Sequence, residues 1–127
     1  MKYLLDFHTL IWFLENDSRL SEKSKVIIEE DLNELYVSIV SLWELNIKIN
    51  LGKINLSVSL QRIVDLLESF SITILPLSFI HIKGIDKLSL HHKDPFDRIL
   101  ISQAISEDLI IISKDENFKL YQAKVVW

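Results

Sequence analysis

Cysteine is absent from the chain, which excludes disulfides and thiolate metal sites and fits a reducing compartment. Glycine and proline occur only twice each, so no glycine-rich phosphate loop is present and no linker or low-complexity tract divides the chain. No uninterrupted apolar run is long enough to span a bilayer. The opening Met1-Lys2-Tyr3-Leu4-Leu5 meets a carboxylate at Asp6 before any signal-peptide core can form. The expectation is a soluble cytoplasmic protein with no membrane partner. Positive charge is also short: 14 basic residues stand against 18 acidic ones, for a net charge of −4. The basic stripe of a typical nucleic-acid binder is missing. A bound metal ion would reverse the sign of the field locally, so the balance weakens a nucleic-acid reading without removing it.

Apolar residues are plentiful, at 49% of 127 residues. That length predicts a single domain over residues 1–127 that buries a core without staples. The apolar share is high for a small soluble domain, and it implies that a partner or a second copy of the chain covers some of the surface. Short, mostly continuous runs of Ile, Leu, Val and Tyr predict strands at residues 2–7, 35–40, 72–77 and 109–113, with a shorter one at 124–127. Apolar periodicity predicts helices at 9–16, 22–30, 41–51, 57–69, 79–88 and 95–106, with Ser21 capping the second. This alternation argues for an α/β protein with a mainly parallel sheet and helices on both faces. Ligands of such sheets bind beyond the carboxyl ends of the strands.

Four acids fall where that edge should be. Asp6 ends the first strand and Asp115 follows the fourth. Glu44 lies in the helix after the second strand, and Asp97 lies near the start of the 95–106 helix. Hard divalent ions such as Mg²⁺ take oxygen ligands of this kind. Crowded carboxylates raise one another's pKa unless a cation neutralises them, so a cluster of four favours a bound ion and metal-assisted hydrolysis. Three of the four also have structural readings. Ser41-Leu42-Trp43-Glu44 matches a capping box. In Asp94-Pro95-Phe96-Asp97, Asp94 reads as an N-cap, Pro95 as the first helical residue and Asp97 as a first-turn acid. Asp115 reads as the cap of a short helix over 116–120. Asp6 interrupts an apolar strand, where an unpaired ion costs several kcal/mol, so it calls for a cation or backbone donors.

Other constellations are weaker. His91-His92 with His81 suggests a zinc site, but a doublet does not share one helix face. His8, two residues after Asp6, would share its face on a strand. Trp12, Phe13 and Trp43 read as core or interface. Lys48, Lys53 and Arg98 offer modest positive charge, with Arg98 pairing an acid or touching a phosphate.

Taken together, Tyr3-Leu4-Leu5-Asp6-Phe7-His8-Thr9-Leu10-Ile11-Trp12, Ser38-Ile39-Val40-Ser41-Leu42-Trp43-Glu44-Leu45, His92-Lys93-Asp94-Pro95-Phe96-Asp97-Arg98 and Ile112-Ser113-Lys114-Asp115 resemble the PIN-domain (PilT N-terminus) family. Within it, the chain is similar to VapC-like toxins of bacterial toxin–antitoxin pairs. The resemblance implies a three-layer α/β/α sandwich and an endoribonuclease dependent on Mg²⁺ or Mn²⁺. It implies a metal site of Asp6, Glu44, Asp97 and Asp115, an RNA substrate and a cognate antitoxin. It also implies a homodimer, with the 9–16 helix near its contacts. Asp6 and Asp97 would be direct ligands, Glu44 a ligand or proton acceptor, and Asp115 a water-mediated or second-ion ligand. The family commonly places Thr or Ser after the first acid, where this chain has Phe7. That departure motivates a rival reading, a binding or regulatory module of the same fold. A second rival is a metal-dependent hydrolase of DNA or small phosphoesters.

Overall fold

The computed structural model describes residues 1–89 and 94–127, and the His91-His92 doublet lies outside that description. Five strands form one sheet: β1 (Lys2–Leu5), β2 (Glu34–Ser38), β3 (Ile72–Leu75), β4 (Ile110–Ile112) and β5 (Lys124–Val126). They are arranged β3-β2-β1-β4-β5, and every described pairing is parallel. The chain steps outward from β1 to β3, then returns to lay β4 on the other side of β1. The topological switch point is therefore the gap between the carboxyl ends of β1 and β4.

Alternation along β1 divides the core. Tyr3 and Leu5 pack with Leu35, Val37, Ile72 and Ile112 against Leu10, Ile28, Leu42, Leu45, Ile63 and Leu67. These helical residues come from α1 (Phe7–Leu14), α2 (Glu22–Glu29), α3 (Ile39–Asn50) and α4 (Leu60–Ser69). Leu4 points to the opposite face, where Ile111 meets Leu100, Ile101, Ala104 and Phe118. These belong to α6 (Pro95–Glu107) and a 3₁₀ turn at Glu116–Leu120. Each fully buried Leu or Ile contributes about 1.5–3 kcal/mol relative to exposure. With both faces covered, the continuous apolar runs of the strands follow directly.

Junctions are tighter than the sequence predicts. The first strand stops at Leu5 rather than residue 7, because the Asp6 carboxylate accepts from Thr9 N at 2.8 Å and caps α1. His8 is consequently helical, so its expected strand face with Asp6 does not exist. The second strand stops at Ser38, whose hydroxyl accepts from Val40 N at 3.1 Å and starts α3 two residues early. Ser41 therefore caps nothing: its buried hydroxyl has no partner among the described residues, and the expected capping box with Glu44 is absent. Ser59, not residue 57, begins α4 by accepting from Arg62 N at 3.1 Å.

Beyond the site, α5 (Phe79–Gly84) is pinned to α6 by polar contacts. His81, only 2% exposed, accepts from Ser78 N at Nδ1 (3.0 Å) and bonds Glu107 Oε1 through Nε2 (2.9 Å). Both ring nitrogens are thus occupied, which leaves no lone pair for zinc. The Ser102 hydroxyl donates to His81 O at 2.5 Å, and a Cβ on Gly84 would collide with the Ser102 Oγ itself. Gly84→Ala should therefore cost about 1–2 kcal/mol in urea unfolding. The double variant with Ser102→Ala should lose less than the sum of the two, because the clash is shared.

Candidate metal centre

Register brings the ends of the strands together. Leu5 pairs with Val37 on one side and Ile112 on the other, so the residues that follow, Asp6, Ser38 and Ser113, line one edge of the sheet. Asp6 is 5% exposed. Its Oδ2 accepts from the Ser113 hydroxyl at 2.5 Å, while Oδ1 is engaged by Thr9 N. Ser113 Oγ in turn accepts from Asp115 N at 3.0 Å, tying the first acid to the fourth through one hydroxyl. Thr9 closes the junction by donating its hydroxyl to Ile112 O at 2.8 Å.

Asp6, His8, Trp12, Lys114 and Asp115 line a cleft of about 230 Å³ at the switch point. Asp115 caps the following 3₁₀ turn by accepting from Asn117 N at 2.9 Å, so the structural reading of this residue holds alongside its place in the cleft. Trp12 packs edge-on against Trp127 at 5.7 Å, with Arg19 5.1 Å from its ring. Phe13 packs on Phe70 at 5.1 Å, so Trp12 and Phe13 of α1 are both engaged within the chain.

Glu44 is 9% exposed, on the sixth residue of α3. Its carboxylate pairs with Lys48 at 2.9 Å, and the same ammonium sits 4.4 Å from the centre of the Phe7 ring. Glu44 is thereby linked to the residue next to Asp6. Asp97 lies in the first turn of α6, where Asp94 accepts from Phe96 N (2.9 Å) and Asp97 N (3.1 Å), as the sequence predicts. Phe96 meets Trp43 edge-on at 5.4 Å, which places the helix turns carrying Asp97 and Glu44 side by side. Trp43 is 61% exposed, a surface ring rather than core. Arg98 donates to Ser89 O at 2.9 Å and so holds the end of the preceding segment.

Among the described residues, no three His, Asp or Glu side chains converge as a ready-made metal cage. The donor chemistry nevertheless fits a hard divalent ion. Burial pushes the Asp6 carboxyl above its ordinary value, against the opposing pull of Ser113, Thr9 and the His8 charge. A desolvated carboxylate at a strand end, joined to a second acid, is suited to a cation partner. Ser113, Thr9 and Lys114 were not among the expected site residues. The only signal for Ser113 was a hydroxyl at the end of β4, two positions before an acid.

A PIN-domain family profile matches residues 3–124. The chain belongs to the PIN-domain family. Among solved structures, this PIN domain resembles VapBC2 from Rickettsia felis bound to a DNA fragment from their promoter, with 16% identity and TM-score 0.75 over 99% of this chain and 98% of that one. It resembles VapBC-1 from nontypeable Haemophilus influenzae, with 19% identity and TM-score 0.74 over 99% and 97%. It also resembles FitAcB from Neisseria gonorrhoeae, with 16% identity and TM-score 0.68 over 100% and 97%. At such identities the likeness is one of fold. Comparison with curated protein sequences gives no match.

Burial of the Asp6 charge has a thermodynamic signature. Because the folded pKa is raised, the folded state binds the proton more tightly than the unfolded state. Stability should therefore rise as pH falls from neutral through the folded value, and level off near the unfolded value of about 4. In EDTA at neutral pH, Asp6→Asn keeps the cap and removes the charge, so it should be more stable than the parent by about 1 kcal/mol. Denaturant titrations across pH should show that gap closing on acidification.

Proposed function

We propose that this PIN domain is an endoribonuclease dependent on Mg²⁺ or Mn²⁺, the toxin of a toxin–antitoxin pair, acting in the cytoplasm as a single-domain chain. Membership of a nuclease family supplies the reaction class. The observation that carries the reading is the Asp6–Ser113–Asp115 chain of hydrogen bonds at the switch-point cleft. The partner reading draws on the fold neighbours, which include VapBC and FitAB complexes. No described helix is long and apolar enough to cross a membrane.

In this reading Asp6, Asp97, Glu44 and Asp115 would hold the ion, with Asp6 and Asp97 as its direct ligands. When bound, the ion lowers the pKa of a water and stabilises charge on the leaving oxygen of the phosphodiester. The chain's own residues do the rest. Ser113 fixes the rotamer of Asp6 and the backbone of Asp115 together, so two carboxylates keep their spacing. Glu44 would ligate the ion or accept the proton of an attacking water. Lys114 and His8 line the cleft, and an RNA phosphate would approach past Lys114.

Apolar surface on α5, where Phe79 is 74% and Ile80 67% exposed, supports coverage by a partner protein. The exposed Ile39 and Trp43 of α3 support a homodimer contact there, beside the one expected near α1.

The decisive test is cleavage of RNA by the partner-free chain with Mn²⁺ or Mg²⁺, against DNA and a small phosphodiester. Cleavage of RNA abolished by EDTA, and reduced at least about 100-fold by Asp97→Asn, is the expected result. Ser113→Ala should cost about 10-fold or more, the usual effect of removing a partner that orients a ligand. RNA binding without turnover, unchanged in Asp97→Asn, would instead establish the binding module, a reading favoured by the engagement of Glu44 with Lys48. Faster cleavage of DNA or the small diester would establish the other hydrolase.

A further inference from the structure

Lys48 has two partners, one on its own helix and one beside the first acid. Its ammonium lies 2.9 Å from Glu44 Oε2 and 4.4 Å from the centre of the Phe7 ring. Its side chain is 31% exposed, while that of Glu44 is 12% exposed, so the pair sits at the margin of solvent. Phe7 is 4% exposed and directly follows Asp6, so its ring is a fixed shelf beside the first acid. A cation above an aromatic face is held by the ring quadrupole even when its carboxylate partner is elsewhere.

We propose that Lys48 is a resident counter-cation of the metal centre. In the metal-free chain it neutralises the half-hidden Glu44 carboxylate. A divalent ion competes with it for the same carboxylate, and the displaced ammonium remains over the Phe7 ring. This inference rests on the metal-site reading above. It also gives Phe7 a use: the ring supplies a shelf for a charge where a hydroxyl would supply a hydrogen bond. A freely hydrated surface lysine would need no such shelf. The four-residue spacing, with Glu44 amino-terminal to Lys48 on one helix, is the favourable orientation for such a pair.

The two states respond differently to loss of the ammonium. Without metal, its removal leaves a Glu44 carboxylate, only 12% exposed, unneutralised. With metal, its removal deletes a competitor and a repelling charge. Two measurements on the full chain read this out: Mn²⁺ affinity from the free-ion EPR signal, and Tm in EDTA and in saturating Mn²⁺. Lys48→Met, which keeps the aliphatic stem, should bind Mn²⁺ about five-fold more tightly, in line with a partly exposed charge pair. Its Tm should be lower than the parent's in EDTA and equal to it in saturating Mn²⁺. Lys48→Arg should match the parent in both. Lys48→Gln is the second variant should Lys48→Met fold poorly, with the same expectations.

Unchanged or weaker Mn²⁺ binding in the neutral variants would overturn the proposal, as would a Tm deficit that persists in saturating metal, the mark of a purely structural lysine. Absence of saturable Mn²⁺ binding by the parent would overturn the metal-site reading itself, and this inference with it.

Discussion

One carboxylate, that of Asp6, is placed where it must do several things at once. The chain passes from β1 to α1 with no intervening loop, and only a side chain that accepts from Thr9 N makes so abrupt a turn tolerable. Asp supplies that acceptor, but it also brings a charge into a place almost without solvent. The second oxygen is met by Ser113, from the strand that the topology lays beside β1 only after a long excursion. A local need, capping a helix, is thus coupled to a contact between residues 107 positions apart in the chain. The β1–β4 neighbour relation is what makes the carboxylate bearable, and the same relation builds the cleft.

Around this point the chain handles an excess of acid by dispersing it. Asp115 spends one oxygen on Asn117 N, Asp97 contributes its N–H to the Asp94 cap, and Glu44 is covered by Lys48. Each acid is attached to a different element, and aromatic rings set the distances between those elements: Phe7 under Lys48, and Phe96 against Trp43. Rigid rings are good spacers because they contribute area and shape with few rotatable bonds. The arrangement therefore holds the acids on separate elements, each with its own internal partner.

Much of the fold was legible because parallel strands covered on both faces must be continuously apolar, and such runs stand out between helical periodicities. What the sequence did not disclose is where one element hands over to the next. Ser41 and Glu44 have the spacing of a capping box, yet the cap is Ser38, since the strand's last residue can serve as cap without a loop. His8 was misplaced for the same reason: a strand extended two residues too far puts it on the wrong face. The acids were legible as carboxylates at predicted junctions. Ser113 was not, because a lone serine after an apolar run has many ordinary uses, and only the β1–β4 register selects this one. Asp97 was placed correctly on its helix, but the meeting of its turn with that of Glu44 depends on Phe96 and Trp43 touching between helices, which spacing along the chain does not encode.

Treating cap and ligand as alternatives sets up a choice that the geometry removes. A parallel strand that runs straight into a helix ends at the sheet edge where ligands bind, so the residue that caps the helix stands at the binding edge by construction. A carboxylate has two oxygens with about four lone-pair sites, and a helix cap uses only one or two of them. Asp6 and Asp115 each cap a turn and each line the cleft. What separates a structural cap from a candidate ligand is therefore the environment of the remaining lone pairs. For Asp6 that environment is a shared hydroxyl, a buried wall and a second acid one hydrogen bond further on. A cap in open solvent would gain nothing from Ser113. Here the hydroxyl holds the carboxylate at a fixed angle to the cleft, which a cap alone does not require and a ligand does.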